Sequence, residues 1–154
     1  MLDSLQQFVA ATHPFWQWSA VSLIGAIPFV ESYLGSVLGI TAGVSPIVAI
    51  VAAIIGNWLS MFLFVTFGYK IWRWRNVKEK PLTKRRKRLK EVYEKYGVAG
   101  VSLFGQMILP SQITSMAMVT FGANKVAVIF WQTISIILWG VGMGTFAALS
   151  FGGF

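Results

Sequence analysis

The chain has 154 residues, of which 56% are hydrophobic and only 12% are charged. A soluble domain carries about 25% charged residues, so this sequence has too little polar surface to cover a globule in water. The absence of cysteine excludes disulfides and thiolate metal sites, and the single histidine excludes a multi-histidine metal cluster. We therefore predict an integral membrane protein that uses neither a metal nor a cofactor.

The N-terminal half contains one broken apolar segment and one continuous apolar run. Residues 1–14 are predicted to form a short amphipathic helix. Residues 17–43 are apolar but are interrupted at Pro28. The run from Pro46 to Tyr69 has no such break, and about 22 helical residues at a rise of 1.5 Å span roughly 33 Å, which is enough to cross a bilayer. Residues 17–69 thus form a broken segment followed by a clean span.

A strongly basic loop follows. Residues 70–96 hold twelve of the thirteen Lys and Arg together with three Glu. A run such as Lys84–Arg88 also occurs in nucleic-acid-binding arms, but nothing else here supports a nucleic-acid fold. A loop kept in the cytoplasm by its positive charge is the better interpretation.

Part of this loop has helical spacing. An apolar stripe at i, i+3, i+4 and i+7 is formed by Leu89, Val92, Tyr93 and Tyr96. Glu91 and Lys95 form a favourable i,i+4 pair, and Gly97 is expected to end the helix. We predict a basic amphipathic helix that lies on the anionic cytoplasmic leaflet.

The C-terminal half repeats the order of the N-terminal half. Residues 97–149 consist of an apolar segment interrupted at Pro110 and a second uninterrupted run over 126–149. The tetrapeptide Ser22–Gly25 (SLIG) recurs as Ser102–Gly105 (SLFG). Two repeats are therefore expected within a single membrane domain of residues 1–154.

Each broken segment is either a kinked span or a re-entrant hairpin. Half of such a segment holds about 10 residues, or roughly 15 Å of helix, which is half the hydrocarbon depth. If residues 97–121 enter the membrane and return, Lys125 lies on the cytoplasmic side with every other Lys and Arg. We favour an all-α fold with an inverted repeat of a re-entrant helical hairpin plus a transmembrane helix, a known transporter plan.

Small residues mark the expected packing faces. They are Gly35, Gly39 and Gly43, then Ala53, Gly56, Asn57 and Ser60, and finally Gly140 and Gly144. Helices in lipid approach closely at such positions. Four short segments alone cannot easily shield two hairpins from lipid. We therefore expect a homodimer or a larger homo-oligomer.

Two stretches carry a family resemblance. The run Gly25–Tyr33 (GAIPFVESY), followed by Gly56-Asn57, resembles the small multidrug export protein family, and it is close to an actinobacterial branch. The run Ile108–Thr114 (ILPSQIT) resembles a diverged form of the second proline motif of that family. The resemblance covers residues 17–148, and it implies a multi-pass export protein of a bacterial plasma membrane.

The family is similar in layout to the DedA membrane-protein superfamily. The likeness implies paired re-entrant hairpins and proton-coupled translocation of lipid phosphates. DedA-like second hairpins carry arginines around the proline, whereas here Pro110 is surrounded by Gln106, Met107, Ser111 and Gln112. Arginine is the preferred bidentate phosphate ligand, so this departure weakens the case for a phosphate-bearing lipid.

Glu31 is the only acidic residue inside an apolar segment. A carboxylate at the middle of a membrane costs roughly 2.5–3.5 kcal/mol on insertion scales. We expect Glu31 to take up a proton and couple proton flux to substrate movement; the alternative is a hydrated side chain near the outer interface. Ser32 and Tyr33 flank Glu31 and are candidates to hydrogen-bond it.

Further candidates are the helix breakers and the polar residues in apolar runs. Pro28 and Pro110 break the hairpins and free backbone groups that bind ions or polar head groups, unless they are ordinary kinks. The polar residues in apolar runs are expected either to line a polar path or to form hydrogen bonds between helices. They are Asn57, Gln106, Ser111, Gln112, Thr114 and Gln132.

These features predict a secondary transporter that moves an amphipathic substrate, either a drug-like cation or a lipid, with proton coupling through Glu31. The alternative is a non-enzymatic lipid scramblase, a lipid-phosphate translocase or an accessory membrane-assembly protein. An enzyme is not expected, because the sequence offers no nucleophile–base pair and no phosphate-cradling glycine loop. The expected partners are membrane lipids, the substrate and protons.

Overall fold

The computed structural model describes residues 1–75, 83–105 and 109–151, and every regular element in those ranges is a helix. A 3-10 turn, Pro14–Trp16, joins the first two helices. The seven α-helices are α1 Leu2–Ala11, α2 Gln17–Gly25, α3 Glu31–Thr41, α4 Pro46–Arg75, α5 Lys84–Phe104, α6 Ser111–Thr120 and α7 Lys125–Phe151. The predicted helical class is therefore confirmed.

Within the described ranges, two helices are long and apolar enough to cross a membrane. They contain the segments Pro46–Lys70 and Lys125–Phe151. Both correspond to the continuous apolar runs expected from the sequence.

Both broken segments are interrupted as predicted. α2 ends at Gly25 and α3 begins at Glu31, so Pro28 lies in the middle of a five-residue break. Pro110 caps α6 with φ −54° and ψ 149°, an extended conformation. Proline interrupts a helix because it has no amide hydrogen and its ring collides with the preceding turn.

The chain forms two compact units. Unit 1 comprises Met1–Leu59 with Ile136–Phe154, and unit 2 comprises Ser60–Ser135. Each unit contains one broken segment and part of both long helices. The boundaries fall inside α4 and α7, and not at the ends of the repeats 17–69 and 97–149 that the sequence suggested.

Unit 1 is packed through glycines. A Cβ atom added to Gly35 would lie 3.1 Å from the Cα atom of Gly25, and one added to Gly39 would lie 2.9 Å from the Val21 side chain. This pairing makes α2 and α3 an antiparallel helical hairpin. A Cβ atom on Gly56 would overlap the backbone carbonyl of Ser22.

α7 also approaches the hairpin through small residues. A Cβ atom on Gly140 would lie 3.1 Å from Ser32, and one on Gly144 would lie 3.2 Å from Ser36. The hydroxyl group of Ser32 donates a hydrogen bond of 2.9 Å to the carbonyl of Ile136. These contacts agree with the small-residue faces read from the sequence.

The N-terminal helix α1 packs against the same hairpin. Val9 is fully buried, and the side-chain amide of Gln6 donates to the carbonyl of Thr41 at 3.1 Å. Phe8, which precedes Val9, is 51% exposed.

In unit 2, α5 consists of two consecutive helical parts. They are separated at Gly97, which has φ 65° and ψ −167° and bends the chain. The part before the bend, residues 84–96, is the basic helix. Leu89 is fully buried, and the rings of Tyr93 and Phe121 lie 6.1 Å apart. The predicted end at Gly97 is thus a sharp bend.

The basic helix also carries contacts near its surface. Tyr96 is 58% exposed, and the Lys95 ammonium group lies 5.1 Å from its ring centre. Lys90 and Glu94 form an i,i+4 ion pair at 3.8 Å, and the Glu91–Lys95 pair stays a prediction. Residues 76–82 of the basic loop lie outside the described residues.

Replacing Gly56 by alanine tests the close approach of helices in unit 1. The added methyl group meets backbone, which cannot rotate away, so we expect G56A to destabilise the protein by about 1–3 kcal/mol, the usual cost of overpacking. Thermal unfolding in detergent measures the difference.

The matched control is G142A, because a Cβ atom at Gly142 has no neighbour within 4 Å. This variant should change stability by no more than about 0.5 kcal/mol. Equal melting temperatures for G56A and G142A would contradict the close packing.

Candidate functional site

Glu31 begins α3 and is almost completely buried. It is 1% exposed, and Val30 beside it is equally buried. The other residues of the protein therefore shield the Glu31 side chain almost completely. A buried carboxyl group is costly unless it is protonated or its charge is compensated.

The backbone at this break is strained. Phe29 has φ 74° and Glu31 has φ 55°, which is the left-handed region that residues with a side chain seldom adopt. Each such conformation costs on the order of 1–3 kcal/mol and is typical of functional sites. At this break the Phe29 side chain is 58% exposed, whereas the Glu31 side chain is held inside.

Ser32 and Tyr33 have well-defined partners next to Glu31. The Ser32 hydroxyl bonds the carbonyl of Ile136. The Tyr33 hydroxyl donates to the carbonyl of Phe29 at 3.1 Å, and its ring lies 6.5 Å from the ring of Trp139. Both hydroxyl groups thus brace the backbone around the break.

Asn57 of α4 is fully buried in the same unit. Four predicted site residues therefore lie in unit 1. We refer to them together as the acidic cluster: Glu31, Ser32, Tyr33 and Asn57.

The basic residues of the chain are distributed very unevenly between the units. All thirteen Lys and Arg lie within residues 60–135, so the sequence of unit 1 contains none of them. Unit 1 carries Asp3 and Glu31 as its only acidic residues. The positively charged side chains are therefore concentrated in the sequence of unit 2.

Unit 2 has a second buried polar group of residues at the start of α6. Ser111, Gln112 and Thr114 are all fully buried. The Thr114 hydroxyl donates to the carbonyl of Leu109 at 3.0 Å. The Gln112 amide lies 3.5 Å from the hydroxyl of Ser60.

We call Ser60, Ser111, Gln112 and Thr114 the neutral cluster, because none of them carries a charge. The structure brings these predicted residues together within unit 2. Gln106, the remaining candidate, lies outside the described residues.

Sequence reasoning missed several buried hydroxyl groups. Ser36 follows Ser32 by four residues and Ser115 follows Ser111 by four, and all four are fully buried. Residues four apart share a helix face, so this spacing was the available signal. The hydroxyls of Ser36 and Ser115 both bond carbonyls of the preceding turn.

The described residues contain no group of three or more His, Cys, Asp or Glu that could hold a metal ion. The chemistry open to the acidic cluster is therefore proton or cation binding by one carboxyl group. The neutral cluster can exchange hydrogen bonds with uncharged groups.

No curated protein and no solved structure matches this chain. A family model described as "putative small multi-drug export protein" matches residues 31–142. This match begins at Glu31 and takes in Asn57 and the neutral cluster, but it leaves out α1, α2 and the Pro28 break. Together with the two apolar helices, it identifies a membrane protein. The chain belongs to the small multi-drug export protein family.

Proposed function

We propose that this protein is a secondary exporter that exchanges protons for an amphipathic, drug-like cation, with Glu31 as the shared binding group. The observation that carries the proposal is the carboxyl group of Glu31, which is 1% exposed at a strained helix break. Membership of an export family supports transport as the activity.

Burial gives this carboxyl group two stable states. Because a desolvated carboxylate is unfavourable, it is stable when it holds a proton or when a cation lies against it. A proton and a cationic substrate therefore compete for the same group, and such competition is reciprocal by linkage.

The dimensions of the broken segments support re-entrant hairpins. α2 and α3 have nine and eleven residues, or about 14 and 17 Å of helix. Each is close to half of a hydrocarbon core of about 30 Å. Such half-crossing helices bring the acidic cluster near the midplane, where transporters bind their substrates.

Contacts in unit 2 support the same topology. Lys125, which begins α7, donates to the hydroxyl of Thr66 at 3.3 Å, and Thr66 lies in the part of α4 that leads to the basic loop. Phe121, at the end of α6, packs against Tyr93 of the basic helix. Both ends of the second broken segment thus lie near the basic loop, as in a segment that enters and returns.

The proposed setting is the plasma membrane of a bacterium, with residues 70–96 in the cytoplasm because of their positive charge. We propose a homodimer or larger assembly, since irregular backbone in lipid must be shielded by protein. The proposed chemistry forms and breaks no covalent bond in the substrate, so the protein is not an enzyme.

Cysteine labelling from one side of the membrane tests the hairpins. Ser45 and Asn124 are exposed residues of the turns that precede α4 and α7. With two hairpins, S45C lies outside the cell and N124C lies inside, so an impermeant maleimide added to intact cells should label only S45C.

The unmodified chain has no cysteine and serves as the blank. Labelling of both variants from outside would mean that residues 97–121 cross the membrane once, and the hairpin topology would be wrong.

The variant E31Q tests proton coupling. The amide keeps the size of the side chain but neither binds a proton nor attracts a cation. In liposomes with an internal pH dye and an imposed pH gradient, we expect ethidium-driven proton movement to fall to the level of protein-free liposomes. D3N is the control, because Asp3 is the other acidic residue of unit 1 and is exposed, and it should behave as the wild type.

The second candidate function is passive movement of lipid between leaflets or an accessory role in membrane assembly. It is favoured by the uncharged residues around Pro110, which suit neutral head groups. If E31Q and the wild type transport equally well, proton exchange at Glu31 is refuted. A fluorescent-lipid flipping assay with the same variants then becomes the relevant measurement.

A further inference from the structure

Gln132 of α7 is a buried amide in unit 2 with no hydrogen bonds. It is 0% exposed, and neither its amide nitrogen nor its oxygen has a partner among the residues that the structure describes. Val128 and Ser135, one turn away on either side, are equally buried, so this face of α7 points into the protein. Native proteins seldom leave a buried amide in this state, which points to a hydrogen-bonding partner that the described residues do not supply.

A short turn relates Gln132 to a second buried amide, that of Gln112. Residues 121–124 join α6 to α7, and helices joined by a turn of this length form antiparallel hairpins in many proteins. Gln112 lies eight residues before Thr120 and Gln132 lies seven residues after Lys125, so both are about 11 Å along the helices from the turn. Ser60 joins this level through its contact with Gln112.

We propose that Gln132, together with Gln112 and Ser60, forms a binding site in unit 2 for an uncharged group that both donates and accepts hydrogen bonds. The occupant is water, or the hydroxyl or amide group of an organic solute. This site goes beyond the proton and cation exchange proposed for Glu31 and does not depend on it.

The composition of the site selects for neutral ligands. The amide of Gln132 presents two donor hydrogens and an accepting oxygen, and Ser60 adds a hydroxyl group. The nearest charge along α7 is Lys125, two turns away at about 10 Å. An ion would lose its hydration here without gaining a counter-charge, whereas a neutral amide or hydroxyl would satisfy both atoms of Gln132.

Single-cysteine labelling tests whether the site holds water. A thiol reacts with methanethiosulfonates as the thiolate, which forms only where water has access. With 2-aminoethyl methanethiosulfonate on the protein in liposomes, we expect Q132C to react about tenfold or more faster than V128C, its equally buried neighbour. N124C, which is exposed, shows that the reagent is active.

Acetamide distinguishes the two kinds of occupant. If it raises the melting temperature of the wild type but not of a Gln132→Met variant, the site accepts an organic amide, because a ligand stabilises the folded form that binds it. If the Q132C rate exceeds that of V128C and acetamide does not raise the melting temperature of the wild type, the occupant is water. If Q132C reacts no faster than V128C, the proposal is overturned.

A second variant guards against misfolding of Q132C. Methionine keeps the unbranched shape of glutamine and fills irregular spaces. When an occupant bonds the amide, Q132M loses those bonds and should melt lower by about 4 °C. A higher melting temperature for Q132M would mean that the amide is dry and unsatisfied, and it would also overturn the proposal.

Discussion

In a lipid bilayer, a chain has to satisfy its backbone hydrogen-bonding groups from within, and this requirement shapes both helix breaks. Around Pro28, the carbonyl of Ile27 accepts from the amides of Val30 and Glu31 at 3.1 Å each. Before α6, the carbonyl of Leu109 accepts from the Thr114 hydroxyl. Local turns and one side chain thus supply hydrogen bonds to backbone groups in the described part of both breaks.

Such breaks need tightly fitted neighbours. In unit 1 the neighbours are glycines, at which α2 meets α3 and α4 with backbone against backbone. Gly140 and Gly144 let α7 approach Ser32 and Ser36 in the same way. Close packing fixes the strained backbone that holds Glu31 inside. Small residues therefore help to keep the carboxyl group in place.

Much of this arrangement was predictable from the sequence. The continuous apolar runs predicted α4 and α7, and the prolines predicted the helix breaks. Glu31 was recognisable as a single acidic residue within an apolar segment. These features were predictable because composition and proline geometry act locally. The division of both long helices between two units was not predictable, since it depends on which distant segments pack together. The positive φ angles at Phe29 and Glu31 also escaped prediction, because neither residue type favours that region.

The polar partners illustrate the same limit. Ser32 and Tyr33 stand beside Glu31 in sequence, but their hydroxyls bond the carbonyls of Ile136 and Phe29. A serine 104 residues from its acceptor cannot be paired with it from spacing alone. Gln132 was recognisable as a polar residue in an apolar run, whereas its lack of partners emerges only from the packed fold.

The contact between Tyr93 and Phe121 couples two elements of unit 2. The basic helix carries seven of the thirteen Lys and Arg, and this ring pair packs it against the turn that ends α6. Gly97, four residues after Tyr93, bends the chain where the basic helix ends. A displacement of the basic helix about this bend would therefore also displace the end of the second broken segment.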